Sequence, residues 1–223
     1  MAVIFGMVGV GVSIVIIAIG GGFSGPGASI INPPTSKDIW TIGDNIHNGM
    51  VLNYSLSSIG PASSLQSATV SIDFVQKVGE DWNTTFTIIN GTGAKAQDTL
   101  VMSNQLTRKG EISEQFRPFF EPVQSSVLAI SDIAIGPKYL VIGAPWNTIL
   151  TGSVSVPIRV TDRENLQTPA GTFDSYVLSY KLSSNTSKIW IAHGIPTPIK
   201  AEVYDAQDHL QYRYELTGLQ NGS

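Results

Sequence analysis

Apolar and polar residues follow two different rules along this chain, and the change of rule divides it. From Met1 to Gly22 the sequence MAVIFGMVGVGVSIVIIAIGGG is apolar almost throughout. Ser13 is the only polar side chain between Ala2 and Ile19, and the first charged residue is Lys37. An α-helix rises about 1.5 Å per residue, so some twenty such residues match the roughly 30 Å hydrocarbon core of a bilayer. No Lys or Arg precedes the run and the chain opens at Met1, which argues for a retained anchor over a cleaved signal peptide. The expectation is a transmembrane helix over residues 1–22, a Gly/Pro linker over 23–37 and an extracytoplasmic domain over 38–220.

Beyond the linker the period becomes two, the repeat of half-buried strands. The stretch from Asp38 to Gly49, with Trp40, Ile42 and Ile46, lies either at the membrane interface or under the domain. Leu52, Tyr54 and Leu56 then fall on one face of a strand, and Val70, Ile72 and Phe74 on one face of the next. Gly79-Glu80-Asp81 turns the chain into Trp82, Thr84, Phe86 and Ile88, and Asn90-Gly91 signals another turn. Between Asp98 and Leu140 the pattern loosens. Leu100–Met102 predicts a short strand, Pro118 and Pro122 interrupt FRPFFEPV, and 127–135 is an apolar run that fits a short helix or a buried strand. Alternation returns at Val154, Val156, Ile158 and Val160. A turn-rich loop, DRENLQTPAG, leads to strands over 172–182, 188–192, 199–204 and 210–216. The fold expected is mainly β: a curved, half-barrel-like antiparallel sheet with one face wet and one or two short helices.

The apolar segment has a sided pattern. Ala2, Gly6, Gly9 and Ser13 fall at i, i+4, i+7 and i+11, a stripe of small side chains on one helical face. Lipid gives no hydrophobic drive for helices to associate, so close backbone approach through small residues matters, and the stripe predicts packing against another membrane helix.

Composition narrows the function further. Charged residues make up 13% of the chain and the net charge is −4, which leaves no basic footprint for nucleic acid. There is no cysteine, which excludes disulfides, thiolate metal sites and cysteine nucleophiles. Asn53, Asn83, Asn90, Asn185 and Asn221 each open an Asn-X-Ser/Thr triplet, candidate glycosylation sites that point to an extracytoplasmic domain. The histidines His47, His193 and His209 have no metal-ligand spacing, and no cofactor is expected. Asp205-Ala-Gln-Asp208-His209 is the nearest approach to a ligand cluster, and a polar hairpin turn explains it better. No nucleophile elbow, phosphate loop or dinucleotide fingerprint occurs in the domain, so no catalytic residue is assigned. Trp82, Trp146 and Trp190, with Trp40, are candidates to line an apolar ligand site, although core packing is the commoner role of tryptophan.

Several segments carry a resemblance. Gly143-Ala-Pro-Trp146 precedes a strand, Thr168-Pro-Ala-Gly-Thr-Phe173 precedes another, and Ile189-Trp-Ile191 is followed by Ile195-Pro-Thr-Pro-Ile-Lys-Ala-Glu-Val-Tyr204. Gly49-Met-Val-Leu-Asn-Tyr54 resembles an opening strand of the same group. This order resembles the β-rich extracytoplasmic domains related to lipoprotein carriers, which implies a sheet curled around an apolar concavity. The lipobox cysteine of lipoproteins is absent. The Ser/Thr/Asn-rich composition, the triplets and a helical anchor together look archaeal, similar to accessory subunits of ammonia monooxygenase.

Two functions fit. The first is a non-catalytic, single-pass subunit in the cell membrane, its helix packed on integral membrane partners and its domain bracing or capping them. The second is a tethered carrier or sensor that holds a lipid or other apolar ligand in its concavity.

Overall fold

The structure, a computed structural model, describes Val15–Ile16 and residues 35–59, 67–151 and 154–222. The strands, in chain order, are β1 (Val15–Ile16), β2 (Ile39–Trp40), β3 (Met50–Ile59), β4 (Ala68–Val78), β5 (Asp81–Asn90), β6 (Lys95–Met102) and β7 (Arg108–Lys109). Two helices follow, α1 (Arg117–Gln124) and α2 (Ile130–Ile133). Then come β8 (Lys138–Tyr139), β9 (Pro145–Thr151), β10 (Val154–Thr168), β11 (Gly171–Lys181), β12 (Thr186–Ala192), β13 (Lys200–Tyr204) and β14 (Leu210–Gln220).

All but β2 and β8 join one twelve-stranded sheet in the order β1-β9-β10-β11-β12-β13-β14-β3-β4-β5-β6-β7. Every pairing is antiparallel. Two meanders, β3–β7 and β9–β14, meet where β14 pairs with β3, with Tyr214 opposite Leu56. The sheet curls: β10 and β14 come within 8 Å at their Cα atoms although three strands separate them. Register shifts at Phe74/Gln76, Val160/Asp162 and Arg213/Tyr214 supply bends, since a bulge tightens local twist.

The period-two reading places the inner face correctly. Leu52, Tyr54, Leu56, Val70, Ile72, Phe74, Phe86 and Ile88 are all at most 1% exposed. Helix α1 packs on that face, with Phe120 edge-on to Phe86 at 5.0 Å between ring centroids. Phe116, Val123, Val127, Leu128, Ile130 and Ile133 extend the same core. Trp40 and Ile42, left between interface and core by their sequence, are buried in it.

Two local expectations change. The segment DRENLQTPAG is no loop: it continues β10 to Thr168, paired residue for residue with β11, and only Pro169 and Ala170 turn. Its polar side chains are tolerated because they stand on exposed positions, and pairing along a neighbouring strand outweighs their weak β propensity. FRPFFEPV is helical in spite of its prolines. Pro118 falls in the first turn, where its missing N–H has no partner to lose, and Pro122 lies inside a helix only eight residues long.

Of the expected anchor, only Val15–Ile16 is described; its two β-branched residues are extended, opposite Leu150 and Ile149 at the edge of β9. The rest of 1–22, with Ala2, Gly6, Gly9 and Ser13, lies outside the described residues. Among the described residues no helix is long and apolar enough to cross a membrane.

Candidate functional site

The two-stranded ribbon β2–β8 stands where the chain leaves its N-terminal segments and joins the domain. Thr35 and Asp38 close the junction: the Thr35 backbone N–H and hydroxyl both donate to Asp38 Oδ2, each at 2.7 Å. The Thr35 N–H is the main reason the Asp38 carboxyl is held below its ordinary range. Leu140 N–H donates to Asp38 O at 2.7 Å, so the junction is bound to the residue that follows β8. Ile39 then pairs with Tyr139, and Trp40 with Lys138.

Alternation gives this ribbon two unlike sides. Trp40 points inward and stacks on Trp146 at 5.5 Å with 26° between the rings. Both indoles also donate hydrogen bonds, Trp40 Nε1 to Ile195 O and Trp146 Nε1 to Tyr139 O, each at 3.0 Å. The Lys138 ammonium donates to Trp146 O at 2.8 Å, and burial lowers its pKa. Ile39 and Tyr139 share the other side and are 37% and 44% exposed; Ile135 and Ile142, just outside β8, are 53% and 50% exposed. Single exposed apolar residues are ordinary, but four within this short ribbon and its flanks form a feature.

The inner face of the sheet carries a cluster of tyrosines in addition to Trp82. Tyr54 and Tyr214 meet edge to face at 5.7 Å, and Tyr212 stacks on Tyr214 at 6.0 Å. The Tyr54 hydroxyl donates to Pro198 O at 3.0 Å and pairs with the Thr197 hydroxyl at 2.6 Å. Burial raises the phenol pKa of Tyr54, Tyr212 and Tyr214, and pushes that of Tyr180 up to about 12. These are neutral hydroxyls at any physiological pH. The signal was present in the sequence as Tyr-Arg-Tyr at 212–214, where strand alternation puts both rings on one face.

A cavity of about 60 Å³ opens between α1, α2 and the β6–β7 end of the sheet, lined by Met102, Leu106, Arg108, Phe120, Leu128 and Asp132 among others. Burial raises the Asp132 carboxyl, and Arg108 Nε is buried without a hydrogen-bond partner.

The three tryptophans proposed as ligand lining are not brought together. Trp146 is held under the ribbon. Trp82 sits on the inner face against Phe74, edge-on at 6.1 Å. Trp190 belongs to the opposite face, in register with Val177 and Lys200; its Nε1 donates to Glu164 Oε1 at 2.6 Å and the Lys200 ammonium lies 5.6 Å from its ring. The candidate glycosylation residues are likewise dispersed. Asn53 and Asn83 are in β3 and β5, Asn185 is exposed in the β11–β12 turn, and Asn221 is exposed after β14. The Asn90 amide oxygen is occupied, accepting from Thr92 N–H, the Thr92 hydroxyl and Ala94 N–H. Asp205 serves its own turn, accepting from Gln207 and His209 N–H, and Asp208 ties that turn to the β11–β12 turn by accepting from Ser184 and Asn185 N–H. Among the described residues no group of acidic, His or Cys side chains could hold a metal ion.

Comparison with known proteins gives one family match: residues 153–216 fit the family described as DUF3108-like. Those residues hold the second meander from β10 to most of β14, including the PAGTF turn and Trp190. The chain matches no curated protein. Among solved structures it is similar to a protein described as a lipoprotein from Parabacteroides distasonis ATCC 8503, at 16% identity and TM-score 0.38, covering 81% of this chain and 99% of that one. It is also similar to MucB, at 11% identity and TM-score 0.42, covering 79% of this chain and 54% of MucB. A third is described as an exported protein with a YmcC-like fold from Bacteroides fragilis NCTC 9343, at 9% identity and TM-score 0.33, covering 78% and 97%. None of these is named as an ammonia monooxygenase subunit, so neither that assignment nor an archaeal source gains support from them.

Proposed function

We propose that the protein is a non-catalytic, membrane-tethered subunit whose extracytoplasmic β-domain braces or caps integral membrane partners. The observation that carries this reading is the apolar run of residues 1–22 with its stripe of small residues on one helical face. Residues 1–22 cross the bilayer as a helix in this reading, with Ala2, Gly6, Gly9 and Ser13 against a partner helix. Strand β1 then gives up its two-residue pairing with β9. That exchange is reasonable in size: a ladder of two residues holds only a few hydrogen bonds, each of net value about 0.5–1.5 kcal/mol.

Purification from membranes in mild detergent tests the reading. The wild-type protein is expected to co-migrate on a native gel with a fixed set of integral membrane proteins. Replacing Gly6→Ile and Gly9→Ile together should release it, and unchanged co-migration would overturn the helix-packing proposal.

The carrier reading draws on the cavity under α1. Its volume of about 60 Å³ is less than half the roughly 150 Å³ that accommodates a single benzene. A lipid chain therefore requires α1 to move away from Phe86. Lipid at one equivalent in mass spectra of the purified protein would favour this alternative.

A further inference from the structure

We infer that the outer side of the β2–β8 ribbon, Ile39 and Tyr139 flanked by Ile135 and Ile142, rests in the interfacial layer of the lipid bilayer. The inference rests on the tethering proposed above and goes further, because a tether alone leaves the domain free to tumble beside the membrane.

Three observations lead to it. The apolar run ends near Gly22, and residues 23–34 separate it from Thr35. A flexible chain of twelve residues has a mean reach of about 20 Å. No slack is added beyond it, since the Thr35–Asp38 bonds and the Leu140–Asp38 bond tie the junction directly to the ribbon. Finally, the side of the ribbon turned away from the core is apolar and ends in a tyrosine hydroxyl, while the inner side is latched to the domain by Trp40 and Trp146. Tyrosine with aliphatic neighbours suits the water–hydrocarbon boundary, where the ring is desolvated and the hydroxyl stays wet. A surface held so close meets the bilayer at millimolar effective concentration, so a small apolar patch centred on Ile39 and Tyr139 suffices where a free domain would not bind. The consequence is a fixed orientation of the large sheet relative to the membrane.

The chain has no cysteine, so single cysteines report without background. The full chain is reconstituted in phosphatidylcholine–phosphatidylglycerol vesicles, with an environment-sensitive fluorophore placed in turn at Val8→Cys, Tyr139→Cys, Ile142→Cys and Gln97→Cys. Lipids carrying a nitroxide in the acyl chain serve as quencher. Residues immersed about 5–10 Å into the boundary should lose roughly half their emission or more. Positions 139 and 142 are expected to be quenched together with 8, and 97, exposed on β6, to stay bright. Using two ribbon positions guards against one variant that does not fold. Quenching at 8 without quenching at 139 and 142 would overturn the bilayer contact and leave the tether standing. Absence of quenching at 8 would remove the tether and the inference with it. Blue-shifted emission at 139 and 142 without lipid quenching would mean that protein covers the ribbon, which also overturns it.

Discussion

Tyr54 shows how one side chain serves the core and the chain's return at once. Its ring fills the inner face beside Tyr214, and its hydroxyl holds Thr197 and Pro198 of the segment leading into β13. Tyr54→Phe keeps the ring and strands the Thr197 hydroxyl and Pro198 carbonyl, so stability should fall by about 1–3 kcal/mol. Urea unfolding followed by tryptophan fluorescence would measure it, and an unchanged midpoint would show that water replaces the hydroxyl. Asp208 acts by charge. Its carboxylate accepts from Asn185 and Ser184 N–H, which depresses its pKa. A depressed carboxylate stabilises above its unfolded value near 3.9, and that contribution fades as pH falls through the folded value. Asp208 has φ 64°, a conformation that asparagine also tolerates, so Asp208→Asn isolates the charge. The melting-temperature gap between the two proteins should be widest at neutral pH and close below about pH 4; a constant gap would point to geometry instead.

At the scale of elements, close approach decides what the residues alone leave open. Gly43 has φ 78°, and a Cβ there would lie 1.9 Å from the backbone oxygen of Asn104. Its N–H donates to Pro196 O at 2.9 Å, so the loop cannot shift freely. Gly43→Ala should cost at least about 1–3 kcal/mol from strain, read as a lower unfolding midpoint. Nothing local in Thr-Ile-Gly-Asp announces this, because the neighbour comes from a turn sixty residues away. The strands β3, β4, β5 and β14 were legible because one face of each is buried and the other wet, which writes period two into the sequence. The polar end of β10 was not: its partner β11 supplies the hydrogen bonds, and no side-chain pattern records that. Helix α1 was hidden for the opposite reason, since two prolines argue against a helix until one of them is seen to fall in its first turn.

The whole molecule depends on one seam distant in sequence. Strand β14, the last in the chain, joins the two meanders by pairing β13 on one side and β3 on the other. Ending the chain before Leu210 should therefore abolish cooperative unfolding, as seen in a broad, sloping circular-dichroism melt. A sharp melt would mean that one meander folds alone. Pairings this distant also predict slow folding, because loop closure comes before the contacts that reward it.

The amino-acid sequence by itself determined the mainly antiparallel β character, the inner faces of most strands, the polar turns, and the apolar run with its small-residue stripe. Each is a local property: strand period, turn geometry and transfer from water act on residues near one another. The tertiary structure alone decided that β14 meets β3, that Tyr54 and Tyr214 meet edge to face across that seam, and that Trp190 stands on the other side. It also decided that Ile39 and Tyr139 face outward together. These depend on sheet order and register, which arise when distant segments compete for the same edge and the same core, and no window of sequence contains both competitors.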